Sequence, residues 1–319
     1  MSVTAAADPQ REALLLAGWS KLPETYRIPE RAPSLEQAQA YCRALAESHY
    51  ENFHVATWFL PKRLRPHFQS IYAYCRISDD LGDEVGDPAA SLALLDAWGE
   101  ELDACYRGEA RHPVFVALAE TIRICSIPKE PFADLLVAFR QDQTVTRYAS
   151  MPQVLEYCRY SANPVGRLVL YACGYRDEAL FALSDFTCSA LQLANFWQDV
   201  VPDYGRGRIY LPLEDMERFG VTEQQIAERR FTPEFRALMT HEVALADRMF
   251  VDGLPLLQRV DPELAVDISL FSAGGREILR AIVRQGYDVL RARPVISRRR
   301  KVALLLRAFV SRLSARSRT

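Results

Sequence analysis

Apolar residues recur at intervals of three and four along most of the chain from Ser34 onward, as in Phe115, Leu118, Ala119 and Ile122 and again in Phe132, Leu135, Leu136 and Phe139. Successive side chains on a helix turn by about 100°, so this spacing collects apolar groups on one face. A half-buried strand would need alternation of period two. No such alternation persists over six residues, no Asn-Gly or Asp-Gly pair joins two such runs, and no G-x-G-x-x-G stands behind a strand. The pattern therefore predicts an all-α chain and argues against a nicotinamide or flavin fold.

Helix punctuation supports the same division. Asp87-Pro88, Pro128 to Pro131, Ser150-Met151-Pro152 and Gly205-Arg206-Gly207 fall where one apolar stripe stops and another starts. No repeat of fixed length marks a solenoid. The predicted organisation is a proline-bearing arm over 1–33, one helical domain over 34–292 and a basic segment over 293–319.

With 319 residues, 49% of them hydrophobic, the chain can bury a large core. A net charge of −2 argues against a protein that grips nucleic acid through its phosphates. Seven cysteines without a C-x-x-C pair, and histidines without metal-ligand spacing, give neither a disulfide scaffold nor a zinc site. A reducing cytoplasm is the expected setting. The first thirty residues hold only a short apolar stretch, Ala13 to Ala17, so no secretory signal is expected. Nor does any segment approach the ~18 apolar residues of a membrane span. Residues 291–319 carry ten Lys or Arg and no acid, interleaved with Val302, Leu304 to Leu306, Phe309, Val310 and Leu313. That composition suits an amphipathic helix in peripheral contact with anionic lipid, or a solvated helix that partly packs on the domain.

Two acidic clusters carry the chemistry. Asp79 and Asp83 are four apart on an apolar-flanked helix; four residues turn a helix by about 400°, which leaves the two carboxylates about 40° apart on one face. Like charges so placed repel, and a hard divalent cation is their natural counter-ion. An isolated D-x-x-x-D is most often a solvated face. A second cluster makes the pair more specific: Asn195, Asp199 and Asp203 repeat the four-residue step, with Gln192 one turn earlier and apolar or aromatic residues between. Two such stripes facing each other across a cavity would suit magnesium, which takes one or two protein carboxylates and completes its shell with water and phosphate oxygens. Arg76 lies one turn before Asp79, and Arg206 and Arg208 follow the second cluster in a Gly-flanked loop. Guanidinium groups form two-pronged contacts with phosphate. Pro202 removes a backbone donor and disfavours helix at Val201, which leaves Asp203 the least secure ligand.

The segments His49 to Phe53 before Leu60-Pro61, Tyr72-Ala-Tyr-Cys-Arg-Ile-Ser-Asp-Asp-Leu-Gly-Asp83, Tyr157 to Gly166, and Gln192 to Asp203 followed by Gly207-Arg208-Ile-Tyr-Leu-Pro212 together resemble the squalene/phytoene synthases. The resemblance runs from His49 to about Arg293. It implies a helical isoprenoid-synthase bundle around a central cavity and several magnesium ions held by Asp79, Asp83, Asn195, Asp199 and Asp203. It also implies a substrate site lined by His49, Asn52, Phe53, Tyr72, Arg76, Tyr157 and Gln192. Phe53 and Tyr72 also fit plain core packing, and Tyr157 fits either a hydrogen bond near the leaving group or a buried tyrosine.

Glu51-Asn52-Phe53, Phe139-Arg-Gln-Asp-Gln143, Tyr157-Cys-Arg-Tyr-Ser-Ala-Asn-Pro-Val-Gly166 and Asn195-Phe-Trp-Gln-Asp-Val200 resemble the bacterial hopanoid branch that makes hydroxysqualene. So do three departures from the commoner pattern: Gln198 in place of Arg, Pro202 in place of Glu, and Gly275 in place of Tyr. The branch implies conversion of presqualene diphosphate to hydroxysqualene with no NADPH. A condensing synthase of the same fold, making presqualene diphosphate, dehydrosqualene or phytoene, and a non-catalytic assembly protein on the same scaffold are the alternatives. Intact acidic clusters speak against the last.

Overall fold

A computed structural model describes residues 8–48, 62–304, 306 and 310. Among them there is no strand, only one isolated parallel bridge between Arg147 and Ile209. The chain divides into two compact units, the first made of residues 1–144 with 171–174 and the second of 145–170 with 175–319.

The first unit holds α1 (Pro9–Trp19), α2 (Leu35–Ser48), α3 (Arg65–Asp83), α4 (Pro88–Arg107), α5 (Pro113–Cys125) and α6 (Glu130–Gln141). The predicted breaks are helix caps. Asp87 accepts a hydrogen bond from Ala89 N at 3.0 Å with Pro88 in the first turn, so the side chain satisfies an orphan donor where proline has none to lose. Pro131 likewise stands in the first turn of α6, there without a side-chain cap. The arm predicted over 1–33 contains α1, whose Gly18 lies so close to Leu94 of α4 that a Cβ there would meet its Cδ1 at 2.7 Å.

Tyr74, Trp98, Phe115 and Phe132 form the centre of this unit, none measurably exposed. Their rings meet edge-on or tilted, Tyr74 on Phe132 at 5.1 Å and Trp98 on Phe115 at 4.5 Å. Each buried aromatic contributes roughly 1.5–3 kcal/mol through area removed from water. Their polar tips are satisfied, because Tyr74 donates to the Phe132 carbonyl at 2.7 Å and Trp98 Nε1 donates to Ser78 Oγ at 3.0 Å. Both contacts fix the rotation of α3 about its axis, and with it the direction of the Asp79 stripe.

The second unit holds α7 (Met151–Ser161), most of α8 (Asn163–Ala172), α9 (Glu178–Gln198), α10 (Val200–Gly205), α11 (Leu213–Phe219), α12 (Glu223–Ala227), α13 (Pro233–Asp252) and α14 (Pro262–Arg284). The long α9 packs against both α13 and α14. Glycines permit the close approach: a Cβ on Gly275 of α14 would lie 2.4 Å from Phe250 Cζ and 2.7 Å from Leu191 Cδ2, and one on Gly166 of α8 would lie 2.4 Å from Ser184 Oγ. The sequence departure at Gly275 thus has a packing reason. Among the described residues no helix is long and apolar enough to cross a membrane.

Candidate active site

In the first unit, Tyr72, Arg76, Asp79 and Asp83 recur on α3 at steps of four, three and four, which keeps them within one narrow stripe. The opposite side, with Ile71, Tyr74, Ile77, Ser78 and Leu81, is buried. Asp79 is half-exposed and Asp83 exposed. Burial pushes the Tyr72 phenol above its ordinary value. Arg76 is committed locally: its guanidinium forks onto both oxygens of Asp80, with Nε to Oδ2 at 3.0 Å, and lies 3.8 Å from Asp79. Asp80, 5% exposed, also accepts from the Tyr26 hydroxyl at 2.7 Å. Sequence reasoning missed Asp80 and Tyr26; the four-residue step from Arg76 to Asp80 was the available signal.

In the second unit, Gln192, Asn195 and Asp199 share one sector of α9, and the residues between them, Leu193, Ala194, Phe196 and Trp197, are buried. The helix is interrupted at Asp199, with φ −108° and ψ 21°, and resumes as α10. Pro202 explains the place of the break, since it has no N–H for the Gln198 carbonyl four residues earlier, and it is tolerated in the first turn of the new helix. The expectation that helix would fail at Val201 is therefore corrected: the disturbance falls at Asp199. Asp199 N still donates to Asn195 O at 2.9 Å and Asp203 N to Asp199 O at 2.8 Å, so the four-residue ladder reaches Asp203.

Asp199 is itself paired. Arg293 grips both of its oxygens, with Nη2 to Oδ2 at 2.9 Å, and also reaches Gln198 Oε1 at 3.3 Å. Gln198 Nε2 donates in turn to the Pro294 carbonyl. The Asp199 carboxylate holds the Arg293 guanidinium above its ordinary value. Nothing periodic connects positions 94 apart, so Arg293 as a partner was not legible beforehand.

The loop after α10 is anchored, not loose. Gly207 adopts φ 83°, a left-handed conformation that favours glycine. Arg147 donates to its carbonyl at 2.6 Å while forking onto Glu223 at 2.7 and 2.9 Å. Ile209 N donates to Thr146 O at 3.0 Å. Arg206 is exposed; Arg208 is half-buried and, with Asp203, Phe196 and Tyr210, lines a cavity of about 10 Å³, the size of one water. Tyr157 is 5% exposed within an aromatic block in which Tyr210 stacks on Phe196 at 3.7 Å and Tyr148 joins at 5.5 Å from Tyr157. Of the residues predicted to line the site, His49, Asn52 and Phe53 lie outside the described residues.

Both carboxylate stripes end their helices. Asp79 and Asp83 lie in the last turn and a half of α3, and Asn195 and Asp199 occupy the end of α9, with no basic residue in the last turn of either. The negative end of the α3 macrodipole makes its last turn a poor place for Asp79 and Asp83 and favours a cation there, whereas Asp199 also caps the start of α10 and draws its compensation from Arg293. The donor atoms are all hard oxygens, a set that fits magnesium. Among the described residues no three or more His, Cys, Asp or Glu gather on one metal position.

Residues 46–300 match the family model described as squalene/phytoene synthase. The solved squalene synthase HpnC from Alicyclobacillus acidocaldarius is 45% identical, with a TM-score of 0.76 over 85% of this chain and 98% of that one. A hydroxysqualene synthase from Rhodopseudomonas palustris is 32% identical over 235 residues, 73% of this chain and 79% of that protein. A phytoene synthase from Thermus thermophilus is 31% identical over 265 residues, 83% of this chain and 90% of that protein. The all-α fold is of the isoprenoid-synthase type, and the chain belongs to the squalene/phytoene synthase family, enzymes that act on prenyl diphosphates.

Proposed function

We propose that the chain converts presqualene diphosphate to hydroxysqualene with release of diphosphate, dependent on magnesium. The observation that carries the metal-dependent reading is the pair of oxygen stripes at four-residue steps, Asp79 with Asp83 and Asn195 with Asp199 and Asp203, none of them buried and each gathering hard donors on one helix face. The branch assignment is supported by the Gln198, Pro202 and Gly275 departures and by the likeness to squalene synthase HpnC and to the hydroxysqualene synthase.

Asp79 and Asp83, with Asn195, Asp199 and Asp203, would hold the ions. Bound there, magnesium would supply Lewis-acid stabilisation of the departing diphosphate. The chain's own residues do the rest. Arg206 and Arg208, beside the Gly207 turn that Arg147 fixes, offer donors to diphosphate oxygens as carbon–oxygen bond breaking moves charge onto them. Tyr157, Phe196 and Tyr210, buried and packed on one another, form a dry aromatic wall behind the Asp199–Asp203 stripe that would help keep water from a cationic intermediate. Water capture needs no reductant, so NADPH is not expected. His49, Asn52, Phe53, Tyr72 and Gln192 complete the proposed substrate contacts, together with Arg76, which is held on Asp80 and would meet a diphosphate only through the Nη1 side that faces Asp79.

Purified protein given presqualene diphosphate and magnesium without NADPH is expected to release hydroxysqualene. A second reading, condensation of two prenyl diphosphates, is favoured by the phytoene synthase at nearly the same identity. Coupling of farnesyl or geranylgeranyl diphosphate, with presqualene diphosphate left unconsumed, would establish it instead.

We propose as well that the basic C-terminal segment contacts anionic membrane. Val302, Leu306 and Val310 stand at four-residue steps with more than half of their surface exposed, next to exposed Arg298, Arg299 and Lys301. Binding to phosphatidylglycerol vesicles but not to phosphatidylcholine vesicles, lost in a Val302→Glu, Leu306→Glu variant, is the expected result.

A further inference from the structure

Arg293 and Asp199 form a two-pronged ion pair that ties the last turn of α9 to the chain leaving α14. Two more contacts reinforce the tie: Gln198 Nε2 donates to Pro294 O, and Gln198 Oε1 accepts from Arg293 Nη2. An arginine at position 198, the residue common in the resembled family, would remove that acceptor and set a second positive charge beside Arg293. Seven residues on, Arg300 reaches the buried Glu277 at 3.2 Å, where Arg284 also sits at 2.9 Å. The stretch from 293 to 300 is thus clasped at both ends, by Asp199 and by Glu277. Between the clasps, Val295 is two-thirds exposed.

Both oxygens of Asp199 are engaged by Arg293. Nearby Asp203 adds to the negative potential that Arg293 feels. A divalent cation can use Asp199 only by taking at least one oxygen from the guanidinium.

We propose that Arg293 is a displaceable counter-ion of Asp199, exchanged for the cation when the metal binds, and that the exchange opens the clasp and loosens residues 293–297. This inference rests on the assignment of Asp199 as a metal ligand. The guanidinium places a single charge on the carboxylate and a divalent ion places two, so the ion prevails when present. In its absence the arginine gives the Asp199 carboxylate a positive partner. The exposed strap between Asp199 and Glu277 would then report metal loading to the basic segment beyond it.

The test uses full-length protein and manganese as the probe, its free-ion electron paramagnetic resonance signal giving the bound fraction with and without inorganic diphosphate. Removing a competitor worth about 1 kcal/mol, the upper range for a partly exposed pair, makes Arg293→Gln bind manganese about five-fold tighter. Asp199→Asn is expected to weaken binding, and hydrogen exchange at the amides of 295–297 is expected to rise on metal addition in the wild type. Unchanged or weaker binding by a folded Arg293→Gln variant, or exchange in 295–297 that ignores the metal, overturns the inference while leaving Asp199 a ligand. Wild-type affinity in Asp199→Asn would overturn the ligand assignment as well. The two failures are therefore distinct.

Discussion

Gly274 and Gly275 are neighbours in the middle of α14, and substitution by alanine should move stability in opposite directions. Both residues are helical, so alanine gains roughly 0.5–1 kcal/mol at either position through helix propensity and the reduced freedom of the unfolded chain. Surroundings separate them. A Cβ on Gly274 meets nothing within 4 Å, whereas one on Gly275 would lie 2.4 Å from Phe250 Cζ, 2.7 Å from Leu191 Cδ2 and 3.1 Å from Phe250 Cε1. Phe250 is wholly buried and cannot swing aside into solvent. Overpacking of this kind costs about 1–3 kcal/mol. Because the propensity gain is common to both, the difference between the variants isolates that cost. Urea unfolding followed by far-ultraviolet circular dichroism should give a higher midpoint for Gly274→Ala and a lower one for Gly275→Ala, separated by about 1–3 kcal/mol. Equal midpoints would refute the claim that α9, α13 and α14 meet through Gly275. The tyrosine that the resembled family commonly carries there would meet the same obstruction more severely.

Asp79→Ala and Asp199→Ala should each abolish turnover while leaving normal helical circular dichroism; near-normal activity in a product assay would count against the metal assignment. Asp80→Asn, which weakens the acceptor shared by Arg76 and Tyr26, should cost about 2 kcal/mol of unfolding free energy, the range for hydrogen bonds to a charged group. Glu242 on α13 is fully buried, and burial first, then the neighbouring Asp215 and Glu214, push its carboxyl up from 4.5 to about 8. The fold therefore binds this proton more tightly than the unfolded chain does. Its contribution to stability is complete below pH 4.5 and is lost as pH rises through about 8, at up to about 1.4 kcal/mol per pH unit. Glu242→Gln should flatten the pH dependence of the urea midpoint across that window, and an unchanged slope would contradict the assignment.

The helices were legible because local rules write them. The repeat through Phe132, Leu135 and Leu136 became a buried face, and Asp87-Pro88 and Ser150-Met151-Pro152 became helix starts. The two oxygen stripes were legible for the same reason, since a four-residue step fixes which side chains share a face whatever the surroundings. What the sequence concealed was the choice of partner. Asp80 differs from Asp79 only in its position around α3, which turns it inward to Tyr26, a residue 54 positions away. Arg293 was one basic residue among ten until the chain leaving α14 brought it to Asp199. Pro202 pointed to a disturbance at Val201, next to the ring, but the helix breaks at Asp199 instead, beside the Gln198 carbonyl that loses its donor four residues earlier.

The proposed function requires that the α3 and α9 carboxylates serve one diphosphate-bound cluster of ions. Calorimetric titration of magnesium with inorganic diphosphate into wild type, Asp79→Asn, Asp199→Asn and the double variant tests this directly. Shared ligation predicts that either single change removes most of the binding heat and that the double variant loses little more. Independent, additive losses from the two changes would contradict it.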